Sequence, residues 1–347
     1  MIGKDGFVEA WWKFLTNSTP DLKPAAPLPC THTDLSALDP SRDIAVWLGH
    51  SGLYFQLAGL RFLVDPVYSA YASPVSFINK SFEFRGGYPF TAKTTPPIDL
   101  LILTHDHWDH LDCETIKALD HKVKRYAVPL GVNSHLLAWG INPDKILVFD
   151  WYDAARFTEP KPEVVHPFHK PEKRLQPAEW KSGALQAPAI YFFPSRHFSG
   201  RTLKRDQTLW GSYVIEAGGK RLYLSGDGGN GPHFKEIGDL FRNSGGFDLA
   251  FIEDGQYNAD WAEIHMAPEG SVKAATEVGA KSVIPIHNCR YALTRHAWYD
   301  PLERIRMASH LADWKLLTPK VGDVVPIGDL TIEFPAWWRD VPKSASS

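Results

Sequence analysis

The stretch Thr104-His105-Asp106-His107-Trp108-Asp109-His110-Leu111-Asp112 constrains this chain more than any other. It crowds His105, His107, Asp109 and His110 together directly after an apolar run, Leu100-Leu101-Ile102-Leu103. That run reads as a buried strand. If the backbone stays extended for one more step, His105 and His107 point to one side and Asp106 to the other. Two imidazoles then face one point, and Asp109 and His110, after a turn, reach a second point beside it. Imidazole nitrogen and carboxylate oxygen are ligands for zinc, and they also suit manganese and iron. A histidine-rich surface turn would carry such paired steps at a strand end only by accident.

The rest of the chain must bury that strand, and its length of 347 residues suffices for one large domain. With 37 basic against 40 acidic residues the formal charge is −3, which excludes a protein built mainly to grip a nucleic-acid backbone. Cys30, Cys113 and Cys289 are scattered and odd in number, so no disulfide framework is expected and a reducing compartment fits. The first residues lack the apolar core and cleavage site of a secretory leader, and no stretch approaches the ~20 apolar residues of a spanning helix. A cytoplasmic location is therefore expected.

In chain order, Phe7 to Leu15 reads as a short amphipathic helix whose Trp11, Trp12 and Phe14 pack on the domain, with peripheral membrane contact as the other use of such aromatics. Residues 1–40 are expected to form an extension packed on a domain spanning 41–330, with 331–347 as a tail. Ile44 to Leu48, Leu53 to Leu57 and Arg61 to Val64 form a meander that stops at Asp65-Pro66. After the metal motif, a helix from Asp112 to Leu119 with Asp112 as its cap, a strand near Tyr126 to Val128, a helix from Gly131 to Trp139 and a strand at Ile146 to Phe149 keep an α/β rhythm. Pro160, Pro162, Pro167, Pro171, Pro177 and Pro188 break it, marking 158–188 as an inserted loop; His166 and His169 there are excluded as ligands. Downstream, Ile190 to Phe193 runs into His197, Arg221 to Leu224 into Asp227, and Ser282 to Ile286 into His287. Strand ends on one sheet edge are where distant side chains converge, so these residues extend the local motif into a site. Asp248 to Glu253 is a further strand; Ala267 to Gly279 and Pro301 to Leu311 are helices.

His105-x-His107-x-Asp109-His110, followed by His197, Asp227 and His287 in that order, resembles the metallo-β-lactamase superfamily. Within it, Trp47-Leu48-Gly49-His50-Ser51-Gly52, Asp65-Pro66, Trp108-Asp109-His110-Leu111-Asp112, Gly226-Asp227-Gly228-Gly229-Asn230-Gly231-Pro232-His233-Phe234 and His265-Met266-Ala267-Pro268-Glu269 are similar to the branch of the N-acylphosphatidylethanolamine-hydrolysing phospholipases D. The similarity runs from about Ile44 to Ile327. It implies an αββα four-layer sandwich, two mixed sheets flanked by helices, with a dinuclear centre. By the same resemblance His105, His107 and His197 would hold one metal, Asp109, His110 and His287 the other, and Asp227 would bridge. The chain departs from the pattern at Trp108, where Tyr is common, and at Asp227-Gly228-Gly229-Asn230, where Asp-Thr-Gly-Tyr is common. Diiron relatives carry Glu at the second motif histidine, so His107 favours zinc, with manganese or iron as alternatives.

Two such cations turn a shared water into hydroxide near neutral pH and offset charge growing on a phosphoryl or carbonyl oxygen. The expected function is hydrolysis of a phosphodiester in a small-molecule or lipid-like substrate. Hydrolysis of a lactone or other acyl bond on the same centre is the alternative, and a metal-stabilised binding protein with little turnover is a third. Asp109 and His265 are the expected catalytic residues, His265 as the acid that protonates the leaving group. His50 and Asp112 are candidates for orienting a ligand, and His296 for lining the substrate pocket. Glu253 and Asp254 read as ordinary turn acids, and Cys289 as packing.

Overall fold

The computed structural model describes residues 19–75, 78–158, 162, 164–165, 188–202 and 204–344. The amphipathic stretch Phe7 to Leu15, the loop histidines His166 and His169 and most of the proline-rich insert lie outside the described residues.

The first half comprises β1 (Ile44–Trp47), β2 (Leu53–Leu57), β3 (Leu60–Val64), β4 (Ile98–Ile102), α1 (Cys113–Leu119), β5 (Val123–Pro129), α2 (Asn133–Ala138) and β6 (Ile146–Phe149). The meander β1-β2-β3 is antiparallel, and β3 to β6 are parallel, with α1 and α2 as crossovers. The second half comprises β7 (Ala154–Ala155), β8 (Val164–Val165), β9 (Ala189–Phe193), β10 (Ser212–Ala217), β11 (Lys220–Leu224), α3 (His233–Arg242), β12 (Leu249–Glu253), α4 (Pro268–Val278), β13 (Ser282–Ile286), α5 (Asp300–Ala308), β14 (Lys315–Leu316) and β15 (Val324–Pro326). The strands form a seven-stranded sheet ordered β15-β1-β2-β3-β4-β5-β6 and an eight-stranded sheet ordered β14-β13-β12-β11-β10-β9-β7-β8.

Strand periodicity shows how these layers stack. In β9, Ile190 and Phe192 join the large core between the sheets, while Ala189, Tyr191 and Phe193 join a second core with Phe234, Ile237 and Phe241 of α3 and Ala274, Ala275 and Val278 of α4. A strand buried on both faces reads as an unbroken apolar run, because each side of the pleat has its own core to fill. Phe55 of the first sheet stacks on Phe251 of the second, with ring centroids 6.4 Å apart.

One expectation changes, and two elements are added. Val164–Val165, inside the segment expected to hold no regular element, pairs with β7 as an edge strand. Ser212–Ala217 and His233–Arg242 form a strand and a helix that the residue pattern did not single out. Beyond residue 330, Trp337, Trp338 and Val341 are buried in the main core.

β9, β11, β12 and β13 run in one direction, since β10 is antiparallel to both β9 and β11 while β11 to β13 are parallel. Their carboxyl ends therefore share one sheet edge, opposite the end of β4. The backbone is tightly packed at Gly226 (φ +60°), where a Cβ would stand 2.7 Å from Gly211 O and 3.1 Å from Thr104 Cβ. Only glycine fits there.

Candidate metal centre

The extended step after β4 turns His105 and His107 to one side. His105 Nε2 lies 3.0 Å from His107 Nδ1, and His197, delivered by the loop after β9, brings its Nε2 to 3.1 Å from the same atom. Beside this trio, His110 Nε2 and His287 Nε2 stand 3.1 and 3.0 Å from Asp227 Oδ2. Asp109 Oδ2 is 3.3 Å from His287 Nε2 and 3.5 Å from His110 Nε2. Asp227 Oδ2 is also 3.9 Å from His105 Nε2 and 4.0 Å from His197 Nε2, so it stands between the two groups. Its Oδ1 is buried with no hydrogen-bond partner. A buried carboxylate oxygen without a donor is costly unless a cation meets it. Among the described residues, four overlapping groups could hold an ion: His105/His107/His197, His50/Asp109/His110/His287, His105/His110/Asp227 and Asp227/Glu253/His265/His287.

The outer ring atoms explain why the inner ones face the centre. Asp65 Oδ2 accepts from His110 Nδ1 at 2.8 Å and from the Thr104 hydroxyl at 2.5 Å, while Thr104 Oγ1 in turn lies 3.0 Å from His105 Nδ1. His197 Nδ1 faces Ile264 O at 3.2 Å, and His287 Nδ1 faces Glu253 Oε1 at 3.4 Å. With Nδ1 carrying the proton in His105, His110 and His197, Nε2 presents a lone pair inward, the form a metal requires. Asp106, pointing the other way as expected, accepts from Ser199 Oγ (2.8 Å) and Gly200 N (3.1 Å), pinning the loop that carries His197. Arg201 completes the clamp: it donates to Leu111 O at 2.7 Å and lies 3.9 Å over the Trp108 ring.

His50 sits at the turn after β1, and its Nε2 is 2.7 Å from Asp109 Oδ2. His265 stacks on His287 with centroids 5.2 Å apart and 12° between planes, and its Nδ1 is held by Glu253 Oε1. Glu253, expected as an ordinary turn acid, ends β12 fully buried, and its Oε2 accepts from Gly228 N at 2.7 Å. The signal was available, since β12 ends on a titratable residue as the neighbouring strands do. Asp65 was also missed, because nothing near it in sequence points to His110. Asp112 occupies the N-cap position of α1 but makes no capping bond; its carboxylate accepts from Thr115 Oγ1 (2.5 Å) and Ser69 N (3.1 Å) and touches none of the ligand histidines. His296 stacks on Tyr257 at 4.5 Å and accepts from Gln256 N at 2.9 Å, so it packs a loop. Cys289 is buried, which pushes its thiol well above the usual range, as suits packing.

Burial, reinforced by neighbouring histidines, holds His105 and His197 well below the ordinary histidine range, hence neutral. Burial alone would raise Asp109 and Asp227, but His110 and His287 beside them hold both well below the carboxylate range. The same pairing, against the cost of burial, lifts His110 and His287. Two buried carboxylates are thus balanced either by protons on these two imidazoles or by divalent cations, and the donor set fits cations.

An αββα sandwich with this convergent histidine–aspartate cluster at facing sheet edges defines a metal-dependent hydrolase of the metallo-β-lactamase kind. Comparison with known proteins agrees: the chain belongs to the Beta-lactamase superfamily domain family, which matches residues 60–288. It is 32% identical over 322 residues to the uncharacterized protein Rv0906 of Mycobacterium tuberculosis, covering 91% of this chain and 77% of that one. It is 27% identical over 300 residues to the N-acyl-phosphatidylethanolamine-hydrolyzing phospholipase D 1 of Caenorhabditis elegans, covering 82% of this chain and 76% of that one. Among solved structures, Igni18, a metallo hydrolase from Ignicoccus hospitalis, superposes with a TM-score of 0.53 at 17% identity, over 81% of this chain and 97% of that one. No helix of the described residues is long and apolar enough to cross a membrane.

Proposed function

We propose that this chain hydrolyses a phosphodiester, in a phospholipid-like substrate, with two divalent cations, zinc in the first instance. His105, His107 and His197 would hold one, and Asp109, His110 and His287 the other, with Asp227 shared. The observation that carries this reading is Asp227: its Oδ2 lies within 4.0 Å of donors from both groups while its Oδ1 is buried and unpartnered. The choice of a phosphodiester rests on the similarity to the C. elegans phospholipase D. When bound, the cations supply Lewis acidity, which acidifies a water and offsets charge on a phosphoryl oxygen.

The chain's own groups do the rest. His50 holds Asp109 in place through its Nε2. His265 carries the proton for the leaving oxygen: its Nδ1 is taken by Glu253, so the opposite nitrogen, Nε2, serves the substrate. The hydrolysis balances as one water added, the P–O bond to the leaving group broken and a new P–O bond formed, with the proton ending on the departing alkoxide. Membrane-borne substrate would be met from the surface.

The test is one purified preparation, analysed for zinc, manganese and iron and assayed on a chromogenic phosphodiester, on vesicles containing an N-acylated phosphatidylethanolamine and on a lactone. Close to two metal ions per chain and phosphodiester cleavage are expected. Cleavage of the lactone alone would transfer the function to acyl bonds, and full metal occupancy without turnover of any substrate would make this a binding protein.

A further inference from the structure

We infer that Glu253 is the positioning carboxylate of a Glu253–His265 proton relay. The inference rests on the phosphodiester reading, in which His265 handles the leaving-group proton.

Three contacts carry it. Glu253 Oε1 is bonded to His265 Nδ1 and stands 3.4 Å from His287 Nδ1. Glu253 Oε2 accepts from Gly228 N, one residue past Asp227, at 2.7 Å. The backbone around the carboxylate is fastened too: Glu253 N donates to Ser225 Oγ at 3.0 Å, and Glu253 O accepts from Ser271 Oγ at 2.6 Å. The side chain is fully buried, with no cation of Lys or Arg paired to it among the described residues.

A carboxylate accepts and does not donate, so His265 must bring an N–H to Oε1. That fixes the Nδ1–H tautomer of His265 and leaves its Nε2 with a lone pair, on the far edge of a ring lying parallel to His287. The relay follows. His265 Nε2 takes a proton from the attacking water as its oxygen forms a bond to phosphorus, and Glu253 stabilises the resulting imidazolium. The same proton then passes from Nε2 to the oxygen of the breaking P–O bond, leaving alcohol and phosphomonoester with His265 restored. A carboxylate behind a histidine performs this service in other hydrolytic sites by orientation and charge, without taking the proton itself.

Glu253 also helps to hold the turn at Asp227, so loss of activity on substitution proves nothing by itself. The decisive comparison uses two phosphodiesters of the zinc-loaded protein, one losing nitrophenolate, which departs without a proton, and one losing an alkoxide, which needs it. In Glu253→Gln, kcat on both falls, but the alkoxide substrate falls at least ~10-fold further, in keeping with the ~10²–10⁴-fold worth of general acid–base catalysis. Glu253→Asp recovers part of that difference. Equal loss on both substrates with metal content retained would overturn the relay. A second measurement needs neither turnover nor a variant: nitrogen NMR of histidine-labelled, zinc-loaded wild type should report His265 as Nδ1–H. Finding His265 as Nε2–H overturns the inference whether or not any phosphodiester is cleaved. Nδ1–H together with no cleavage would retain Glu253 as the positioning group and discard the phosphodiester reading.

Discussion

Replacing Asp65 by Asn should weaken metal binding and, by a comparable amount, destabilise the fold. Asp65 Oδ1 accepts from Thr104 N at 2.9 Å, and Oδ2 accepts from both the Thr104 hydroxyl and His110 Nδ1. Asparagine keeps one acceptor oxygen and turns an NH2 toward the remaining donors, so at least one of these buried bonds is lost. If His110 Nδ1 loses its acceptor, its ring is no longer held with Nε2 inward. The Thr104 hydroxyl is freed as well, and with it the group fixing His105, a donor of the neighbouring trio. Loss of such an outer partner typically costs ~10–100-fold in metal affinity, or about 1.4–2.8 kcal/mol. The unpaired donor itself costs about 1–3 kcal/mol of stability. Competition with a chromophoric chelator measures the affinity, and thermal unfolding with and without metal measures the stability; the gap between loaded and stripped melting temperatures should narrow. If the affinity stays within about two-fold of wild type while the stripped protein alone is destabilised, Asp65 is scaffold and the orientation argument is wrong.

Zinc binding near neutral pH should release protons, up to about two per chain, because His110 and His287 are lifted by their carboxylates and must become neutral to donate Nε2; calorimetry in buffers of different ionisation enthalpy reads this directly. His233, pushed down to about 4 chiefly by burial and secondarily by Arg196, is depressed below its unfolded value, so its contribution is complete above about pH 6.5. It is lost as pH falls toward 4, with a slope approaching ~1.4 kcal/mol per unit; His233→Gln should flatten denaturation midpoints measured across that window. Gly229→Ala should cost both stability and metal, since its Cβ would stand 2.0 Å from Glu263 O and the turn carrying Asp227 would have to move; wild-type metal stoichiometry in that variant would contradict it.

Much of this was legible because burial on both faces writes strands as apolar runs and because chemistry-bearing residues follow their ends. β4, β9, β11 and β13 each announce the residue they deliver. β10 was overlooked although Gly218-Gly219 marks its hairpin with β11, a turn whose two glycines both take positive φ. Helix α3 begins at His233, directly behind the glycine-rich turn after Asp227, so its start signals were absorbed into the motif. Asp112 misled in the opposite direction: a cap position and a neighbouring ligand suggested two roles, and the carboxylate went to Thr115 and Ser69 because those donors lie nearer. Partners such as Asp65 and His110 are separated by a parallel pairing, and local patterns carry no information about which strand lies alongside.

That pairing also accounts for a regularity in the centre itself. Asp65 follows β3 and holds His110, delivered after β4; Glu253 ends β12 and stands 3.4 Å from the outer nitrogen of His287, delivered after β13. β3 pairs with β4 and β12 with β13, in both cases in parallel. Parallel neighbours end side by side about 4.8 Å apart, which sets a carboxylate on one strand within reach of the outer nitrogen of a histidine on the next. Each sheet thus supplies both a donor and a carboxylate beside it, and the two halves meet where His287 N donates to His50 O at 2.9 Å and His50 N to Asn288 O at 3.1 Å. A cation bound between Asp109 and His110 of one sheet and Asp227 and His287 of the other would then join two independently braced edges, so the same bonds that prepare the chemistry also fasten the sandwich at its mouth.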